Sequence, residues 1–145
     1  MRILLLNGPN LGRLGQRQPE VYGHTTLAEV IERATDHAAS RGATLEAFQS
    51  NHEGALIDRL ERLDYDAVVI NPGALGHTSY ALRDALEGVE RPAVEVHISD
   101  VFQREAFRHV LLLEDVVIGQ VIGRGVDGYI DAIDLLLDRA GGGHA

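Results

Sequence analysis

Glu95 and His97 stand two apart in Ala93–His97, a run that reads as a strand, so their side chains share one face. On one face a carboxylate can orient an imidazole and favour its protonated form, as a general acid requires. The same spacing fits a polar pair at a strand end. Arg17 and Tyr22 lie in a long connection near the start of the chain and supply a cation and a phenol. His77 precedes Thr78 and Ser79 at a helix start, where a hydroxyl could cap and the helix amino end could bind an anion; a surface or capping histidine is the plainer reading. Asn71 before Pro72 fits a turn as well as a site, and Asp84, a turn and a half into a helix, reads as solvated surface. Arg104 and Arg108, four apart in a short helical segment, could clamp a carboxylate or form a solvated face. His24, His37, His52, His109 and His144 lack metal-ligand spacing and read as structural or exposed.

The elements that must position these groups follow from periodicity. Ile3 to Leu6 is too short for a helix and suits a buried strand, while a helix signal begins near Thr25. The connection between them needs about 17 residues, against roughly 2–6 in compact α/β units, and such loops are usually lids, binding loops or disorder. Leu11, Leu14, Val21 and Tyr22 give this one something to pack with. Thr26 to Glu29 has capping-box spacing, and Leu27, Val30, Ile31, Ala34 and Ala38 continue a helix until Gly42. Thr44 to Gln49 reads as a second strand, and Ser50 to Glu53 as a second capping box leading to Leu56, Ile57, Leu60 and Leu63. Ala67 to Ile70 suits a strand buried on both faces, residues 71–78 a loop, and Tyr80 to Leu86 a helix ending at Gly88. After the strand at Ala93, a fifth strand falls within Leu111–Gly123, Val126 to Leu137 forms a closing helix, and residues 141–145 form a frayed tail.

Strands alternating with helices predict one α/β domain over residues 1–140, an open five-stranded parallel sheet of order 2-1-3-4-5 with helices on both faces. Ligands of such sheets sit beyond the carboxyl ends of the strands, where the strand order reverses. That rule gathers Asn10, Arg17, Tyr22, Asn71, His77, His97, Ile98 and Ser99 around one crevice. Gly123-Arg124-Gly125-Val126-Asp127-Gly128 matches G-x-G-x-x-G, but no later strand follows to bring the acidic ribose partner expected about 20 residues on. A tight turn with close helix packing is the expected use of those glycines.

Composition narrows the chemistry. The 145 residues carry a net charge of −9 without a block of like charges, which disfavours nucleic acid and membrane surfaces as partners. There is no cysteine, and all 13 basic residues are arginine. Thiol nucleophiles, disulfides, cysteine-ligated metals and lysine Schiff bases are therefore excluded, leaving His, Asp, Glu, Tyr or the terminal amine as acid or base. The amino-terminal segment lacks signal-peptide character, so a cytoplasmic location is expected.

Taken in order, Asn7-Gly8-Pro9-Asn10-Leu11-Gly12-Arg13-Leu14-Gly15, Arg17, Pro19, Tyr22-Gly23, Gln49-Ser50-Asn51-His52-Glu53-Gly54, Asn71-Pro72-Gly73-Ala74, His77-Thr78-Ser79, Ala81-Leu82-Arg83-Asp84-Ala85, Glu95-Val96-His97-Ile98-Ser99, Arg104, Phe107-Arg108-His109 and Gly125-Val126-Asp127-Gly128-Tyr129 resemble the type II 3-dehydroquinate dehydratases. The resemblance implies a flavodoxin-like fold and reversible anti elimination of water from 3-dehydroquinate, through an enolate, giving 3-dehydroshikimate in the shikimate pathway. It implies no metal and no cofactor, and a homo-oligomer of trimers grouped into a dodecamer. Tyr22 would be the base, with Arg17 beside it to lower a pKa that ordinarily lies near 10. Asn10 would stabilise the enolate, and His97, held by Glu95, would protonate the departing hydroxyl. Asn71, the Ile98 and Ser99 amides and the Ser99 hydroxyl would hold the substrate carboxylate, His77 and Arg108 the ring hydroxyls, and Asp84 would reach a neighbouring subunit's site. Mobile residues after Asn10 would close as a lid. The chain departs from the family's usual residues at Leu75-Gly76, Asp100 and Val110-Leu111. A flavodoxin-like module binding a phosphate or nucleotide in the same crevice is the rival reading, weakened by the lack of a P-loop and of lysine, and an inactive family member is a third.

Overall fold

Short apolar runs form the strands β1 (Arg2–Asn7), β2 (Thr44–Gln49), β3 (Ala67–Asn71), β4 (Ala93–His97) and β5 (Gly119–Ile122) of the computed structural model, which describes residues 1–141. Each strand pairs in parallel with its neighbours, in the order β2-β1-β3-β4-β5. This is the expected topology, and the reversal between β1 and β3 leaves a crevice at the strands' carboxyl ends. The helices are a single turn α1 (Pro19–Tyr22), then α2 (Leu27–Ser40), α3 (Glu53–Glu61), α4 (Tyr80–Gly88) and α5 (Asp127–Leu136).

Side chains alternate across the sheet and divide the core in two. Ile3, Leu5, Val69, Val94 and Val96 pack with Val30, Ala34 and Ala38 of α2 and Tyr129, Ala132, Ile133 and Leu136 of α5. Leu4, Leu6, Val68 and Ile70 pack with Leu56 and Leu60 of α3 and Leu82 and Leu86 of α4 on the opposite face. Residues at strand ends inherit the same division: Asn7 and Asn71 continue the α2/α5 face, whereas Glu95 and His97 continue the α3/α4 face.

Local signals are met unevenly. Thr26 and Glu29 form the expected capping box, and Ser79 caps α4 through Leu82 N at 2.9 Å. The second expected box does not form, because α3 begins at Glu53 behind His52. Ser50 instead accepts from His52 N at 3.0 Å, and the Glu53 carboxylate accepts from the Ser79 hydroxyl. The long first connection holds a 3-10 turn, Leu11–Arg13, as well as α1. Residues 71–78 also contain a 3-10 helix, Gly73–His77. Arg104 and Arg108 do not share a helical face, because Arg104 is extended between the 3-10 turns Val101–Gln103 and Ala106–His109. Of the predicted tail, Gly141 ends a helical continuation of α5, and residues 142–145, with His144, lie outside the described residues. Among the described residues no helix is long and apolar enough to cross a membrane.

Candidate active site

A cleft opens at the carboxyl ends of β1, β3 and β4, where small-molecule sites of such sheets are found. Asn10, Arg17, Tyr22, Asn71, His77, His97, Ile98 and Ser99 all line it, as the topology predicts, and so does Arg108, which the family resemblance had implied. Two further candidate residues lie off its surface. Glu95 lies behind His97 without reaching the cleft surface, and Asp84 is exposed on α4, paired with Arg83 at 3.1 Å.

The floor is built by strand alternation. Glu95 is fully buried and accepts from His97 Nε2 at 2.7 Å, while its other oxygen accepts from Gln120 Nε2 at 2.8 Å. With both oxygens engaged, the carboxylate is fixed and in turn fixes the imidazole, which is 5% exposed at the cleft. His77 stacks on His97 with ring centroids 5.8 Å apart. Burial lowers the His77 pKa below its ordinary value. The ring is therefore neutral at neutral pH, and Val110 O, an acceptor 2.7 Å from Nδ1, requires the proton on that nitrogen. Nε2 is left as an acceptor for a hydroxyl.

The roof comes from the loop after β1. It approaches β3 so closely that Gly8 N donates to Asn71 O at 2.8 Å, and a Cβ at Gly8 would sit 2.4 Å from Pro72 O. Glycine is required there by space alone. Asn10 has a left-handed backbone, φ 71°, and its amide donates to Asn51 Oδ1 at 2.9 Å, which also accepts from Gln49 Nε2. Farther along, α1 carries Tyr22 to Arg104, whose Nη1 donates to the phenol oxygen at 2.7 Å and to Ser99 Oγ at 3.2 Å. The Arg17 guanidinium lies over the Tyr22 ring, 4.9 Å from its centroid.

Partial burial pushes the Tyr22 pKa up, but hydrogen bonding and charge from Arg104 and Arg17 push it down further, so the net displacement is below the ordinary value. Two fixed cations thus favour the phenolate over what a free tyrosine would allow. Arg104 is the functional residue that sequence reading understated. It stands 82 positions from Tyr22, and its four-residue spacing from Arg108 pointed to a different arrangement. The only earlier signal was its place among the residues shared with the family. Asp100, where the chain departs from the family's usual residue, accepts from Phe102 N at 3.1 Å and does not line the cleft. Among the described residues no group of three His, Cys, Asp or Glu side chains is placed to hold a metal ion.

A family model described as dehydroquinase class II matches residues 1–137. The 3-dehydroquinate dehydratase of Anoxybacillus flavithermus is 51% identical over 144 residues, covering 98% of this chain and 97% of its own. The catabolic 3-dehydroquinase of Emericella nidulans is 54% identical over 134 residues, covering 91% and 88%. Among solved structures, a type II dehydroquinase from Butyrivibrio crossotus superposes with a TM-score of 0.91 at 46% identity, over 94% of this chain and 97% of that one.

Proposed function

The chain belongs to the class II dehydroquinase family and is a 3-dehydroquinate dehydratase of the shikimate pathway, and from that premise we propose how its cleft divides the reaction. Tyr22, as phenolate, removes a proton from the carbon beside the ketone. The electron pair moves onto the ketone oxygen, and Asn10 donates toward the enolate that forms. The enolate then expels the β-hydroxyl as His97 protonates it, releasing water and leaving the enone. Base and acid come from different elements, roof and floor, which supports removal of the proton and hydroxyl from opposite faces.

One observation carries the assignment of the base. Tyr22 is the phenol held by Arg104 at 2.7 Å under the Arg17 guanidinium, and its pKa is lowered despite burial. The Ser99 hydroxyl, by accepting from Arg104, keeps its own proton to donate, which suits a carboxylate beside the Ile98 and Ser99 amides. Asn71 adds a donor to that carboxylate. His77 Nε2 accepts from a ring hydroxyl, and Arg108, lining the cleft while paired with Glu105 at 3.3 Å, holds another. The family resemblance supports assembly in the cytoplasm as a dodecamer of four trimers, in which the exposed Asp84 meets a neighbour's cleft; light scattering on the purified protein tests that assembly.

The test of the reaction is direct. Purified protein mixed with 3-dehydroquinate, without added metal or cofactor, should raise the ultraviolet absorbance of the conjugated enone. No rise at neutral pH overturns the reading.

A further inference from the structure

The glycine-rich segment at residues 123–128 commits its backbone to the edge of the cleft. Gly123 and Gly125 have positive φ, 77° and 61°. In that turn Gly123 N donates to His97 O and Gly125 N to Ile98 O, both at 3.0 Å. The turn therefore braces the end of β4 and starts α5 at Asp127, which places Tyr129 in the first helical turn.

Tyr129 is fully buried on the α2/α5 face of the sheet. Its hydroxyl bridges the ends of two strands: Asn71 Nδ2 donates to it at 2.9 Å, and it donates to Asn7 Oδ1 at 2.7 Å. Asn7 and Asn71 are register partners, so strand alternation points both amides to the same hydroxyl. A backbone group sets the direction of this chain. Gly73 N donates to Asn71 Oδ1 at 3.1 Å, so the other end of that amide, Nδ2, must face Tyr129. The phenol proton then has Asn7 Oδ1 as its acceptor. The arrangement leaves the Asn7 amide nitrogen buried without a hydrogen-bond partner among the described residues, which indicates that the Tyr129 bond sets the Asn7 orientation.

We propose that Tyr129 is a positioning residue that fixes the orientation of the Asn71 amide, so that its free N–H is presented as a donor for the substrate carboxylate. The Asn71 carbonyl is occupied by Gly73, and one amide hydrogen is occupied by Tyr129. The second amide hydrogen is thereby held ready to donate to a ligand, and a carboxylate oxygen accepts it. This inference rests on the reading that Asn71 holds the substrate carboxylate.

Tyr129→Phe keeps the ring in the core and removes the hydroxyl. With 3-dehydroquinate, the expected result is a KM raised about fivefold to tenfold, the loss of one hydrogen bond of ordinary strength, with kcat changed less than about twofold. Asn71→Ala should raise KM at least as much, and the double variant should be no worse than Asn71→Ala alone. A purely structural tyrosine would lower the melting temperature and leave KM in place. An unchanged KM in Tyr129→Phe beside a raised KM in Asn71→Ala overturns the proposal, as does a Tyr129→Phe effect that persists in the Asn71→Ala background. If Asn71→Ala itself leaves KM unchanged, the carboxylate reading of Asn71 has failed, and the inference falls with it. Should Tyr129→Phe fail to fold, Asn7→Ala removes the acceptor that orients the hydroxyl, and the same KM readouts decide.

Discussion

The floor and the roof of the cleft each hold a side chain in place, by opposite routes. In the floor, Glu95 and His97 are two residues apart on one strand, and their contact follows from the pleat. In the roof, Tyr22 sits on a one-turn helix in a long loop and obtains its cation from Arg104, 82 positions away. The floor is set by local geometry inside a core with both carboxylate oxygens engaged. The roof exists only when the loop after β1 lies against the segment after β4. In the proposed mechanism such a division holds the acid on the sheet and places the base on a contact between distant loops.

The comparison can be broken most severely on the roof. Tyr22→Phe should lower kcat by about a thousandfold, within the range for loss of a general base, while the melting temperature stays near that of the unaltered protein. Near-normal turnover would detach the loop from the chemistry. On the floor, Glu95→Gln keeps the shape but removes the charge that faces His97, and about a hundredfold loss in kcat is expected. An equal loss in both variants would show that roof and floor carry equal shares.

Arg104→Ala sharpens the contrast through pH. The Tyr22 pKa lies below its ordinary value because donors and cations outweigh burial, so removing Arg104 must raise it. At a fixed neutral pH the ionised fraction falls, by about tenfold for each unit of displacement, and the acid limb of kcat/KM moves to higher pH. Turnover should therefore recover in alkaline buffer. A uniform loss at every pH would assign Arg104 to substrate binding instead. The smallest effect on chemistry is expected from Leu5→Ala, buried under α2 and α5, which should lower stability by about 2–5 kcal/mol in chemical denaturation while kcat of the folded fraction is retained.

The fold was legible because its signals are local and repeated. β2 and β4 match their sequence limits to the residue, and continuous apolar runs in β1 and β3 mark strands covered on both faces. The Ser50–Glu53 box failed because α3 starts later than the spacing implied, behind His52, and the Glu53 carboxylate instead takes the hydroxyl of Ser79 from a different element. Arg104 and Arg108 do not share a face because two short 3-10 turns, separated by Arg104 and Glu105, carry no periodicity that a sequence window can detect.

By itself the sequence determined the α/β frame, the face shared by Glu95 and His97, the exclusion of thiol and lysine chemistry, and, through its ordered motifs, the family. Alternation and composition are properties of neighbouring residues, so no folding is needed to read them. The tertiary structure alone decided that Arg104 lowers the Tyr22 pKa, that Glu95 acts from behind the cleft, and that Tyr129 of the glycine-rich segment ties Asn7 to Asn71. Each of these depends on atoms brought together from distant positions, where burial strengthens hydrogen bonds and charge and no spacing rule announces the partner.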